Sequence, residues 1–317
     1  MSQKSVNRLL IRLMGFILAG IFIVLSLRYL HVEKLFNAMQ EFFVGNPFII
    51  VAVTISYLLS FILRAEAWRL YLGKRVRFYS CLQGVLLSLF VNHITPIKVG
   101  DAVRIGVLSW REKNISPEIS AHSVIVLRAI DMFFLLMFSF IGLVAFSRPF
   151  VFRYSLGLLF ILVIMILIGS FFVKKHRPRF VEKHIQIVKT SLAGKNFVLI
   201  MLLIAFSWAL EGAVVWSVTG SIGNGLPLYK AIWVNSITVG GQIFQITPGG
   251  ISTYESVMTA ALASFHYPIK DGYMVALISH SYKFIFSYLV GFLLLIHSPL
   301  TKIRQIREIL LRRGRPE

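Results

Sequence analysis

The chain has a single cysteine, Cys81, in 317 residues. No intrachain disulfide and no cysteine-based metal centre can form, and a lone cysteine says nothing about compartment. Acidic residues are scarce too, 13 Asp and Glu against 33 Lys and Arg. There is no HExxH, no histidine pair at ligand spacing and no Walker-type loop. Neither a metal nor a nucleotide has a recognisable seat, and no cofactor is implied. Alternation of apolar and polar residues with period two is missing, which excludes an outer-membrane barrel.

What the chain has in excess is apolar residues, 57% by a broad count against 15% charged, with a mean hydropathy of +0.77. A soluble domain of this size cannot hide so much apolar surface, so the fold class is an all-α polytopic membrane protein. Runs close to the roughly 20 residues that cross a hydrocarbon core fall at 9–28, 47–66, 118–147, 153–173, 197–220 and 272–297. Gly45-Asn46-Pro47 opens the second, and Ser116-Pro117-Glu118 gives the third a cap and a proline in its first turn. Ser298-Pro299 stops the last. Lys4, Arg8 and Arg12 precede the first run as in a signal peptide, but no small-residue cleavage pattern follows. It reads as an uncleaved helix.

Two stretches, 80–110 and 228–266, do not fit as ordinary spans. Each holds an apolar helix of about 15 residues, a break and a second short helix. The breaks look alike. The first is Asn92-His93-Ile94-Thr95-Pro96-Ile97-Lys98-Val99-Gly100-Asp101, the second Gln245-Ile246-Thr247-Pro248-Gly249-Gly250 with Glu255 behind it. Interrupted apolar segments at matching places in two halves of a membrane protein point to a central substrate site. Each stretch is either a re-entrant hairpin, which needs protein or a water-filled cavity around it, or a kinked span. The expectation is about six full spans plus two re-entrant hairpins.

With that count both termini share a side. That side receives the N-terminus, 64–80, 98–113, 174–195 and 298–317, which hold 25 of the 33 Lys and Arg. The other face holds six: Arg28, Lys34, Arg148, Arg153, Lys230 and Lys270. Such a bias places both termini in the cytoplasm and the chain in the cytoplasmic membrane. Basic residues in the connections suit anionic lipid headgroups as partners and argue against nucleic acid. Three crossings separate the runs beginning at 47 and 197, so the halves, about 47–147 and 197–297, read as an inverted repeat. Both belong to one membrane domain, 1–297. The basic tail, 298–317, spaces Ile303, Ile306, Ile309 and Leu310 as an amphipathic surface helix.

Charges inside spans are costly and tend to be paired, cavity-facing or functional. Arg128 and Asp131, at i and i+3, either neutralise each other or act on a lipid phosphate, Arg128 binding it and Asp131 orienting the guanidinium. Lys283 lies mid-span in Ser279-His280-Ser281-Tyr282-Lys283, too deep to snorkel. His280 beside it is the weaker candidate and reads as a donor to a neighbouring carbonyl. Glu211, next to Trp208, would pair with Lys283 or Arg128 or carry a proton. Glu255 stands three residues after Ser252, so it either closes a capping box or faces the site. Gly249 and Gly250 let a helix start with its amides open to an anion. Asn92, Gly100, Asp101 and Arg104 offer similar groups in the first break. Arg64, Glu66 and Arg69 beside Trp68 read either as an interfacial belt or, for Arg64, as part of the site.

The succession Leu63-Arg64, Trp68-Arg69, Asn92, Thr95-Pro96, Gly100-Asp101, Arg104, Arg128, Asp131, Thr247-Pro248-Gly249-Gly250 and Glu255 resembles the membrane domain of lysylphosphatidylglycerol synthases over about 5–297. Each motif is short, and the specificity lies in their order. Asp101 is a departure, because the family more often has glutamate there. That domain also occurs alone in flippase-like proteins. The resemblance implies a module that moves aminoacylated phosphatidylglycerol or a related lipid, and a soluble lipid-modifying enzyme as a partner. The 20 residues after 297 are too few for a transferase domain.

Three functions follow as expectations. The first is a flippase for an anionic or phosphate-bearing lipid: a phospholipid, an aminoacyl-phosphatidylglycerol or a polyprenyl phosphate. The alternatives are a membrane enzyme or subunit of lipid modification, with Asp101 or Glu255 reactive, and a scaffold whose polar interior is structural. Oligomeric state is not legible.

Overall fold

The computed structural model describes residues 20, 24, 32–74, 76–96, 98–146, 178–223, 225–242 and 247–297. The runs expected at 9–28 (save for two positions) and 153–173, and the tail at 298–317, lie outside the described residues.

Ten α-helices follow in order among the described residues: α1 (Val32–Gln40), α2 (Pro47–Tyr71), α3 (Phe78–Ile94), α4 (Gly100–Arg111), α5 (Pro117–Phe146), α6 (Pro178–Ser191), α7 (Lys195–Ser221), α8 (Leu228–Gly241), α9 (Thr253–Ala263) and α10 (Ile269–His297). No strand occurs among the described residues. Four helices among the described residues, Pro47–Tyr71, Pro117–Phe146, Lys195–Ser221 and Ile269–Ile296, are long and apolar enough to cross a membrane. Their outer faces leave large apolar side chains uncovered, among them Phe48, Ile125, Phe206 and Leu289, as expected where lipid takes the place of water.

Local chemistry sets several boundaries. Asn46 accepts the Ile49 amide at 3.2 Å ahead of Pro47, capping α2. The expected end of this helix at 66 is overrun by five residues. Glu66 and Arg69 satisfy each other through two hydrogen bonds of 2.7 Å, and Trp68 is fully buried, donating to Ser123 Oγ at 2.8 Å. Trp68 is therefore a core residue and not an interfacial anchor.

The stretches 80–110 and 228–266 are each two helices joined by a break. Residues before proline are pushed out of the helical region, and Thr95 (φ −92°, ψ 144°) and Thr247 (φ −111°, ψ 153°) are both extended. The helices of each pair, of 17 and 12 residues and of 14 and 11, pack on each other. All four fall short of the roughly 20 residues that span a bilayer.

The order long, short, short, long in α2 to α5 recurs in α7 to α10. The contacts recur as well: α2 packs along α7, while α3 lies on α10 and α8 on α5. In each of these last two crossings a glycine on the long helix admits an aromatic ring. A Cβ on Gly142 would stand 1.7 Å from the Trp233 ring, and one on Gly291 would stand 2.3 Å from Phe90. Aromatic rings join the halves again beneath the breaks, where Tyr57 meets Phe286 edge-on at 4.8 Å and Tyr282 at 5.8 Å.

Candidate functional site

The two breaks face one cavity of about 140 Å³. Its wall includes Arg64, Asn92, Asp101, Arg104, Arg128, Asp131, Gly249 and Lys283, which the sequence had offered as candidates. Gly250 and Glu255 lie behind this wall. Lys98, Glu211, Gln242 and His280 add to the polar lining, with Ser88, His93, Tyr57 and Tyr254.

The side chains form two linked clusters. In the first, Asp101 Oδ2 accepts from Arg128 Nε at 3.0 Å. Its other oxygen lies 3.9 Å from Arg104 Nη1. Arg104 is buried, stacked with its guanidinium 4.7 Å from the Trp68 ring centre, and its Nε has no hydrogen-bond partner. In the second cluster Arg64 lies over Trp208 at 3.9 Å and donates from Nε to Ser207 Oγ at 3.0 Å. Arg64 Nη2 is 2.6 Å from Glu211 Oε1, an ion pair without hydrogen-bond alignment, and Nε is 3.8 Å from Asp131. Lys283 donates to Asn235 Oδ1 at 2.8 Å and is 3.7 Å from Glu211.

The pairing of Arg128 with Asp131 does not form. The i, i+3 spacing permits it, but α4 brings Asp101 to Arg128, and Asp131 accepts from Trp208 Nε1 at 3.2 Å instead. Arg64 leaves the basic belt and turns inward. Glu211 finds Lys283, one of its expected partners, and Arg64, which was not among them.

The helix ends are not free amide cradles. Gly100 N–H donates to Asn92 Oδ1 at 2.8 Å. The Glu255 carboxylate accepts the Ser252 amide at 2.6 Å, the return half of a capping box, and closes the start of α9. Gly249, at φ +63° where a side chain would meet Phe284, offers its carbonyl, which accepts from Gln242 Nε2 at 3.0 Å and from His280 Nε2 at 3.1 Å. Anion chemistry in this cavity therefore falls to side chains.

Sequence reasoning undervalued four residues. An acid within an apolar helix already marked Glu211. Gln242 repeats the role of Asn92, an amide side chain bridging its own break, but the second break was taken to start at Gln245, three residues too late. Lys98 lay inside the first motif and was passed over for its neighbours. His280 touches acceptors at both ring nitrogens, which a sequence does not foretell.

Outside the membrane spans, Glu112 at the end of α4 is held by Ser80 and by Arg77, whose Nε is 3.1 Å away. Burial alone would raise this carboxyl, but those hydrogen bonds outweigh it and hold it below the usual carboxylate range. No group of three or more His, Cys, Asp or Glu is placed to hold a metal among the described residues.

Comparison with curated proteins and with solved structures returns no significant match. Residues 12–291 match the family described as lysylphosphatidylglycerol synthase TM region. A match of that extent covers every helix of the cavity wall, and the chain belongs to this family of membrane proteins concerned with lipid.

Proposed function

We propose that the chain is a lipid translocator of the cytoplasmic membrane. The cavity takes a phosphate-bearing anionic headgroup while the hydrocarbon chains stay in the bilayer. The observation that carries this reading is three arginines and two lysines converging where two helix breaks meet, inside a bundle whose outer faces are apolar. Guanidinium forks suit phosphate oxygens, and cations held at membrane depth tend to be functional.

The architecture supports the reading. Helices too short to span, exchanged contacts between halves and two glycine–aromatic crossings from one half to the other fit two re-entrant hairpins in an inverted repeat, with 47–147 and 197–297 as its units. Opposed hairpins allow one half to rock against the other around a fixed site. The positive-charge bias sets both termini in the cytoplasm. Without an ATP-binding motif, the lipid gradient, the membrane potential or protons supply the drive, with Asp131, Glu211 and Glu255 as carriers. The family description names lysylphosphatidylglycerol, a phosphate-bearing lipid.

The test is mass spectrometry of lipids retained by the purified protein and by Arg128→Ala. Arg128 is partly exposed, so its removal leaves the core intact. The expected result is a specific phosphate-bearing lipid held by the wild type and lost from the variant. Bulk lipid alike in both overturns the proposal.

A further inference from the structure

The charges in this cavity do not balance, and the imbalance narrows the cargo. Arg64, Arg104 and Arg128 are cationic at any accessible pH, against the carboxylates of Asp101 and Asp131. Lys283 and Glu211, 3.7 Å apart, count as a neutral ion pair. The same holds for His280 and Glu255. The imidazole has Glu255 Oε1 at 2.6 Å from Nδ1 and the Gly249 carbonyl at 3.1 Å from Nε2. The carbonyl only accepts, so Nε2 carries a proton, and a second proton lies between Nδ1 and the carboxyl. Lys98 adds one more cation, leaving an excess of two positive charges.

The chain has no acid in reserve to cancel it. Of its 13 acidic residues, two, Glu308 and Glu317, lie in the tail beyond the described residues. Glu66 and Glu112 are engaged by Arg69 and Arg77. Glu33, Glu41, Glu118, Glu182 and Asp271 are exposed or lie near helix ends, and none of them lines the cavity. Uncompensated charge held away from water is costly, and here it is aimed at a site: Arg104 is buried with Nε unpartnered.

On the translocator reading given above, we infer that the cargo ends in a doubly charged phosphate, a phosphomonoester or diphosphate carried on a lipid, and that a lysine-esterified headgroup is a poor fit. A phosphomonoester carries about −1.5 to −2 at pH 7 and three acceptor oxygens, which match the excess charge and the three guanidinium groups. A phosphodiester carries −1 and leaves one charge uncancelled. A lysyl ester brings an ammonium against five cations.

Binding to the full-length protein in nanodiscs of zwitterionic lipid tests this, read by native mass spectrometry. The probes are dioleoyl phosphatidic acid, dioleoyl phosphatidylglycerol, lysyl-phosphatidylglycerol and inorganic phosphate. Phosphatidic acid should bind at least about tenfold more tightly than phosphatidylglycerol at pH 7. The preference should shrink toward pH 5.5, as the phosphomonoester loses its second charge near pH 6. Lys98→Gln should weaken phosphatidic acid more than phosphatidylglycerol. Arg104→Gln should do the same, and Lys98 at the hairpin tip keeps the test open if that buried variant fails to fold. Equal binding of the two anionic lipids, or tighter binding of the lysyl ester, both lost in Arg128→Ala, overturns this inference and leaves the translocator standing. Inorganic phosphate bound as tightly as phosphatidic acid removes the lipid from the inference. No saturable lipid binding overturns both proposals.

Discussion

The two helix breaks share a sequence pattern and put it to opposite uses. In each, a threonine before proline is extended, and an amide side chain spans the gap, Asn92 to the Gly100 amide and Gln242 to the Gly249 carbonyl. The carboxylates then diverge. Asp101 is partly exposed to the cavity and shared between two arginines. Glu255 is buried, turned back on its own helix end and onto His280. One break displays its charge and the other consumes it. A repeated motif thus predicts backbone geometry better than it predicts which side chains meet a ligand.

The contrast breaks most sharply at the two carboxylates. Glu255→Ala should strand the Ser252 amide and the His280 ring inside the protein. Breaking one partner of a buried pair costs on the order of 3–5 kcal/mol, so thermal unfolding in detergent should fall steeply and yield should drop. Asp101→Asn should move stability by less than about 1 kcal/mol, as for other partly exposed pairs. It should still change anion binding, because it frees Arg128 and raises the cavity's excess charge. Equal melting temperatures for the two variants would show that the breaks are energetically alike.

The bridging amides make a finer comparison. Gln242→Ala and Asn92→Ala each remove the bridging hydrogen bond of a break, worth about 1 kcal/mol. Gln242 is the more buried, so its loss should be the larger in the same melting assay. The order should reverse if the first break is the more tightly held in the membrane.

Much of this architecture is legible in the residues. Apolar runs set the four long helices to within five residues at either end, and Thr-Pro with glycine marked both breaks. The pairing of charges was not. An i, i+3 rule suggested Arg128 with Asp131, but the partner arrived from a helix 27 residues away, a distance no local spacing encodes. Trp68 beside Arg69 looked like a membrane anchor because sequence cannot tell a tryptophan facing the headgroups from one packed under a hairpin. Arg64 was hidden by the same ambiguity: it joins a basic segment in sequence and an ion-pair cluster in space.

The bases of the hairpins differ as their tips do, and the smallest expected effect tests that. The first is latched by ions, with Glu112 holding Arg77 and Ser80 while Arg111 reaches Gln83 Oε1 at 2.6 Å. The second is entered through a neutral contact to the preceding long helix, Leu226 N–H to Thr219 Oγ1 of α7 at 3.2 Å. Because the folded Glu112 carboxyl is held below its unfolded value, its contribution is complete above the ordinary range near about 4.3. It is lost as pH falls through the lower folded value. Arg77 is largely exposed, so the loss loosens one end of α3 and α4 without unfolding the bundle. Hydrogen exchange, corrected for its intrinsic pH dependence, should show amides at 80, 81 and 112 losing protection below about pH 4, while those at 230 and 231 keep theirs. Parallel loss at both bases would mean that acid acts on the whole bundle, and that the ionic latch adds nothing the neutral one lacks.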